Sequence, residues 1–113
     1  MTHVTIYRDR ESKCVGFTVI GHADYAAKGE DIVCAAVSVL VINTCNAIEK
    51  FTSAKVSLVT DETEGLIDFR LNSQVSGETE LLFSAMILGL ENMAEDEDYR
   101  EYIQLSFEEV QQT

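Results

Sequence analysis

The sequence predicts an α+β fold in the order ββαββαβ, a mostly antiparallel sheet with two helices packed on one face. Three observations carry this. Short stretches of alternating apolar and polar residues come in pairs around polar turns, each pair is followed by an apolar segment of helical length, and one more alternating stretch closes the chain. Hairpins, unlike crossover units, join antiparallel neighbours.

Val4 and Ile6 alternate with His3, Thr5 and Tyr7, the period of a half-buried strand. The polar run from Arg8 to Lys13 is a turn, and a second strand runs from Cys14 to about Gly21 with Phe17 and Val19 on one face. His22 to Glu30 has neither a clean period nor a long apolar run and reads as a loop with room for one helical turn. Asp31 is placed to cap a helix, because its carboxylate can accept from an otherwise orphaned first-turn amide. The segment from Ile32 to about Phe51 is apolar on almost every side. A helix of that kind must be covered on several sides, one by the sheet and another by a second helix or a second subunit.

Val56 and Leu58, then Ile67, Phe69 and Leu71, alternate on either side of Asp61-Glu62-Thr63-Glu64-Gly65, a second hairpin. A second helix starts near Ser76 and runs to about Met93, with Glu78 and Glu80 favourably placed near the positive end of its dipole. Ile103, Leu105 and Phe107 mark the last strand.

With 113 residues, 46% of them hydrophobic, residues 1–113 are expected to form one domain that buries its own core without disulfides or a structural metal. Three cysteines are too few and too odd for a secreted disulfide scaffold and point to a reducing compartment. The N-terminus lacks the charged start and apolar run of a signal peptide, and no stretch of 18 residues is free of polar groups, so a cytoplasmic protein with no membrane partner is expected. The net charge is −12, and residues 1–56 balance their charges, so the whole excess lies in the C-terminal half. Direct nucleic-acid binding needs clustered cations and is excluded on that ground. The acidic half is either a solvated surface or a docking surface for a basic partner, and the same alternative applies to Glu95-Asp96-Glu97-Asp98.

His22 ends a strand region, and Cys34 falls in the first turn of the predicted helix. The positive end of a helix dipole favours a thiolate, a nearby imidazole can take the thiol proton, and first-turn amides can hold an oxyanion. From the residues alone, an inert core cysteine and a surface histidine explain the same pattern. Cys45 lies about 16 Å further along the helix and reads as core. No cysteine or histidine spacing suits a metal, and no cofactor is expected.

Gly21-His22-Ala23, Tyr25-Ala26, Gly29 and Asp31-Ile32-Val33-Cys34-Ala35-Ala36-Val37-Ser38 resemble the signature of the ribosomal-processing cysteine protease family, Prp, and the likeness extends over essentially the whole chain. It implies a homodimeric cytoplasmic bacterial endopeptidase that removes the N-terminal extension of large-subunit ribosomal protein twenty-seven. It further implies that Cys34 is the nucleophile and His22 the general base, with Asp31 and Ser38 supporting them. Gly21, Ala23, Tyr25 and Gly29 are implied to belong to a mobile loop that orders on substrate. Asp31 either caps the helix or orients the imidazole, and Ser38 bonds either the sulfur or the carbonyl four residues back. Asp24 adds a negative charge beside the implied dyad, with an effect left open. A homodimer is also expected from the helix that one small sheet and one further helix cannot cover. The competing reading is a noncatalytic acidic ribosome-assembly protein in which Cys34 is a buried structural residue.

Overall fold

β1 (Thr2–Arg8) and β2 (Cys14–Ile20) form the first hairpin of the computed structural model, which describes residues 1–21 and 28–111. The turn between them is organised by Asp9, whose Oδ1 accepts from the amides of Glu11 at 2.9 Å and Lys13 at 3.0 Å. The register slips between Tyr7 and Arg8, which bulges the hairpin next to its turn. β3 (Val56–Asp61) and β4 (Leu66–Leu71) form the second hairpin. β4 then pairs antiparallel with β2, and β5 (Ile103–Glu109) pairs parallel with β1, so the strand order is β3-β4-β2-β1-β5. The expected α+β order and mostly antiparallel sheet hold, with the β1–β5 ladder as the parallel exception. A single 3-10 turn, Arg100–Tyr102, leads into β5.

α1 (Lys28–Phe51) and α2 (Gly77–Glu95) cover one face of this sheet. Val4, Ile6, Phe17, Val19, Phe69 and Leu71 point to that face and meet Val33, Val37, Val41, Cys45 and Ile48 of α1 and Phe83, Met86 and Leu90 of α2 in one core. At its centre Phe17, Phe69 and Phe83 are fully buried, with ring centroids 5.6–6.5 Å apart and Phe83 edge-on to both others. Such edge contacts add to the gain from burial because the positive ring edge meets a negative face. The start of α2 is set by Ser76, whose hydroxyl accepts from the Thr79 amide at 3.1 Å while the Thr79 hydroxyl accepts from the Ser76 amide at 3.0 Å. This reciprocal cap satisfies two amide donors at once.

α1 begins earlier than the sequence predicted. Lys28, Gly29 and Glu30 are already helical, so Asp31 lies inside the first turn, exposed, and is not the cap. Gly29 belongs to this helix as well: a Cβ there would come within 2.6 Å of the Tyr102 ring, so glycine lets the helix start approach the turn before β5. By length and composition Gly29–Phe51 is apolar enough to cross a bilayer, yet its stripe of Val33, Val37, Val41, Cys45 and Ile48 is committed to the core. Two of its hydroxyls are satisfied within the helix, since Ser38 and Thr44 each donate to the carbonyl four residues back at 2.8 Å, and Thr52, just past its end, does the same at 2.7 Å. The opposite side stays uncovered: Ile32, Val39 and Ile42 are 45%, 72% and 46% exposed.

The run Glu95–Asp98 lies across the C-terminal end of α2. α2 stops at Glu95, and Asp96 turns the chain: its side chain accepts from the Asp98 amide at 2.8 Å, and its carbonyl accepts from Tyr99 and Arg100. One of the four acidic residues therefore has a local structural task.

Candidate active site

Three helix positions four residues apart, Cys34, Ser38 and Ile42, lie on one flank of α1, beside the buried stripe that anchors it. They form one wall of a cavity of about 300 Å³. The end of β2 supplies Val19 and Gly21, and the β3–β4 turn supplies Asp61, Glu62 and Gly65 on the opposite side. Most of the lining is apolar, with two carboxylates and the Cys34 thiol as its reactive or charged groups.

The pairing of β2 with β4 brings these pieces together. Ile20 faces Leu66 in the ladder, and one step further the Gly21 amide donates to the Gly65 carbonyl at 3.2 Å. Gly21 is buried between Thr2, Cys34 and that turn: a Cβ on it would lie 3.3 Å from Thr2 Oγ1 and 3.4 Å from Cys34 Sγ. The residue that leads directly to His22 is thus packed beside the Cys34 sulfur.

The three cysteines differ sharply in environment. Cys14 and Cys45 are buried core residues and Cys34 is half-buried at the cavity. Burial pushes the Cys14 thiol up to about 11, offset in part by the Gly16 carbonyl bond and Arg8. Burial, with the neighbouring Glu49 carboxylate adding to it, pushes Cys45 up to about 12. Both are held in the unreactive thiol form at neutral pH. Cys45 is core, as its spacing suggested.

Several expectations need correction or completion. Cys34 is the seventh residue of α1 and not in its first turn, so the dipole end and the free first-turn amides lie one turn away. Its own backbone is engaged in helical bonding, and an oxyanion hole built from those amides is not supported. Ser38 bonds backward: its hydroxyl donates to the Cys34 carbonyl at 2.8 Å, not to the sulfur. Gly29 sits in the helix against Tyr102 instead of in a loop. His22, Ala23, Asp24 and Tyr25 lie outside the described residues. Among the described residues no group of three or more potential ligands could hold a metal ion.

The sequence reading passed over the β3–β4 turn as a site element. Asp61 Oδ1 accepts from the Thr63 and Glu64 amides at 2.9 and 3.4 Å, and Gly65 closes the turn with φ 62°. The turn chemistry was visible, but its place across from Cys34 follows from the β2–β4 pairing, which joins strands distant in sequence.

A half-buried thiol on a cavity wall, set apart from two inert core thiols, is what a thiol enzyme built on a small α+β scaffold requires of its nucleophile. The comparisons specify which kind. The profile of the family described as Cysteine protease Prp matches residues 1–104, and the chain belongs to that family. It is a cysteine protease of the ribosomal-processing type. The Staphylococcus aureus protein named ribosomal processing cysteine protease Prp is 31% identical over 107 residues, covering 95% of this chain and 99% of that one. The crystal structure of S. aureus Prp in complex with a substrate peptide superposes with a TM-score of 0.87 at 30% identity, over 96% of this chain and 100% of that one. The structure of the same protease with a covalently linked product peptide gives a TM-score of 0.82 at 30% identity, over the same shares of the two chains.

Proposed function

We propose that this protease removes the N-terminal extension of the large-subunit ribosomal protein twenty-seven precursor, with Cys34 as nucleophile and His22 as general base. The observation that carries the assignment is the position of Cys34, half-buried on the cavity wall and packed beside Gly21, the residue before His22. His22 takes the thiol proton and Cys34 Sγ attacks the scissile carbonyl carbon, forming a tetrahedral oxyanion. Collapse breaks the C–N bond, the leaving amine receives the proton from the imidazolium, and a thioester remains on Cys34. Water, deprotonated by His22, attacks that thioester and releases the extension as a carboxylic acid, returning the thiol. The covalent product peptide on S. aureus Prp supports a route with a covalent step, and the substrate-peptide complex supports a peptide substrate.

Ser38 supports the nucleophile through the backbone, by holding the Cys34 carbonyl within the helix. Asp31, free of a capping task, is available on the exposed side of the first turn to orient the imidazole or meet substrate. The alternative of a noncatalytic assembly protein requires a buried Cys34, and a half-buried thiol that lines a cavity favours the protease.

The setting proposed is a single protease domain in the bacterial cytoplasm, acting as a homodimer without cofactor, nucleic acid or membrane. Support for the dimer is the stripe Ile32, Ala35, Val39 and Ile42, which repeats at three- and four-residue spacing along α1 and is exposed. A second copy of the same stripe is its self-complementary partner.

Cys34→Ser and His22→Ala are each expected to abolish cleavage of the extended precursor while circular dichroism and thermal unfolding stay close to wild type. Full activity in either folded variant would sink the dyad. Sedimentation showing only a 12.6 kDa species at micromolar concentration would sink the dimer.

A further inference from the structure

We propose that Gly65 is a positioning residue for the reaction: the β3–β4 turn, through Gly65, fixes the backbone of Gly21 against the Cys34 sulfur and so holds the surface on which the nucleophile packs. This rests on the reading of Cys34 and His22 as nucleophile and base.

Two constraints coincide at Gly65. Its φ of 62° is one that side-chain-bearing residues rarely adopt. Independently, a Cβ there would run into the Gly21 carbonyl oxygen and come within 2.8 Å of the Gly21 carbonyl carbon. The second constraint is not a demand of the turn. It exists because two backbones meet where the β2–β4 ladder ends, with the Gly21 amide donating to the Gly65 carbonyl. Gly21 is held on its other side by Thr2 and by Cys34 itself. A side chain at position 65 must shift Gly21 or break the amide–carbonyl bond, and either disturbs the packing of Gly21 against the Cys34 sulfur. The same turn lines the cavity with Asp61 and Glu62, so one loop both walls the site and holds the backbone packed on its thiol.

Close approach and backbone conformation can be separated. Alanine at 65 violates both constraints; asparagine tolerates the left-handed backbone but still brings a Cβ. Steady-state cleavage of a peptide spanning the extension junction would be measured for Gly65→Ala, Gly65→Asn and Gly21→Ala, with rates expressed per folded molecule. Both Gly65 variants should lose about 10²-fold in kcat, the scale of a displacement near 1 Å, with KM within about threefold of wild type. Gly21→Ala is the milder displacement, and it should lower kcat in the same sense without changing KM. It also decides the matter if the Gly65 variants do not fold.

Recovery of wild-type kcat by Gly65→Asn would overturn the proposal, because the glycine would then serve only the turn. A rise in KM at unchanged kcat would overturn it too, as would an unaffected kcat in Gly21→Ala. Cleavage by Cys34→Ser, or no cleavage by wild type, overturns the underlying dyad and the proposal with it. Slow variants beside an active wild type and a dead Cys34→Ser support both.

Discussion

Cysteine labelling offers a direct test of how the fold divides its thiols. Alkylation by iodoacetamide proceeds through the thiolate, so its rate follows the ionised fraction and access to the sulfur. Cys14 at about 11 and Cys45 at about 12 carry roughly a hundredfold and a thousandfold less thiolate at neutral pH than a thiol at the ordinary value of 9.0. Their burial, 6% and 2% exposed, lowers access further. Cys34 is half-buried and faces the cavity. At pH 7.5 the native protein should therefore take a single label, at Cys34, with Cys14 and Cys45 at least about a hundredfold slower. In strong denaturant all three should react at comparable rates, and Cys34→Ala should leave the native protein unlabelled. The readout is peptide mapping by mass spectrometry over a time course. Labelling of Cys14 or Cys45 within tenfold of Cys34, under conditions where the protein is folded, would refute the burial argument. Failure of Cys34 to label would refute its place on an accessible cavity and favour the noncatalytic reading.

Other outcomes follow from the same structure. The two buried thiols are raised in the folded state above their unfolded value, so they contribute stability that is fully present below about pH 9 and lost as pH climbs toward 11 and 12. Urea unfolding should show a smaller alkaline loss in a Cys14→Ala, Cys45→Ala variant than in wild type, and equal losses would contradict it. Phe83→Ala should cost about 3–5 kcal/mol in urea unfolding, because the ring fills the centre of the aromatic trio, and a cost below about 1.5 kcal/mol would show that the core collapses around the gap. Cleavage of the full basic precursor should slow as salt rises from low to physiological levels, while a short neutral peptide responds much less. Neutralising Glu95, Glu97 and Asp98 while keeping the turn-forming Asp96 should reduce the salt-sensitive part; an unchanged rate at low salt would make that cluster a solvated surface only.

Much of the architecture could be read from local pattern, because strand alternation, turn residues and a cap act over a few residues. Val4 and Ile6, Phe17 and Val19, and Ile67 and Phe69 lie in the strands that their period predicted. α2 begins directly after Ser76, where the sequence placed its start, and the Ser76 hydroxyl caps it. The start of α1 escaped the same logic. Asp31 has the composition of a cap, but Gly29, poor in helix propensity, is already helical and approaches the ring of Tyr102, a partner more than seventy residues away, more closely than a side chain would allow.

The sequence by itself determined the element order, the identity of the core faces and, through the residues around Cys34, the family. Only the tertiary structure decided that β5 runs parallel to β1, that β4 lies beside β2, and that the β3–β4 turn therefore stands across the cavity from Cys34. It also decided which way Ser38 points, and that Gly65 must be glycine for a reason outside its own turn. The physical reason is range. Hydrophobic period and turn chemistry are properties of neighbours along the chain, whereas strand pairing and the meeting of Gly21 with Gly65 depend on how buried surfaces from distant segments share one core.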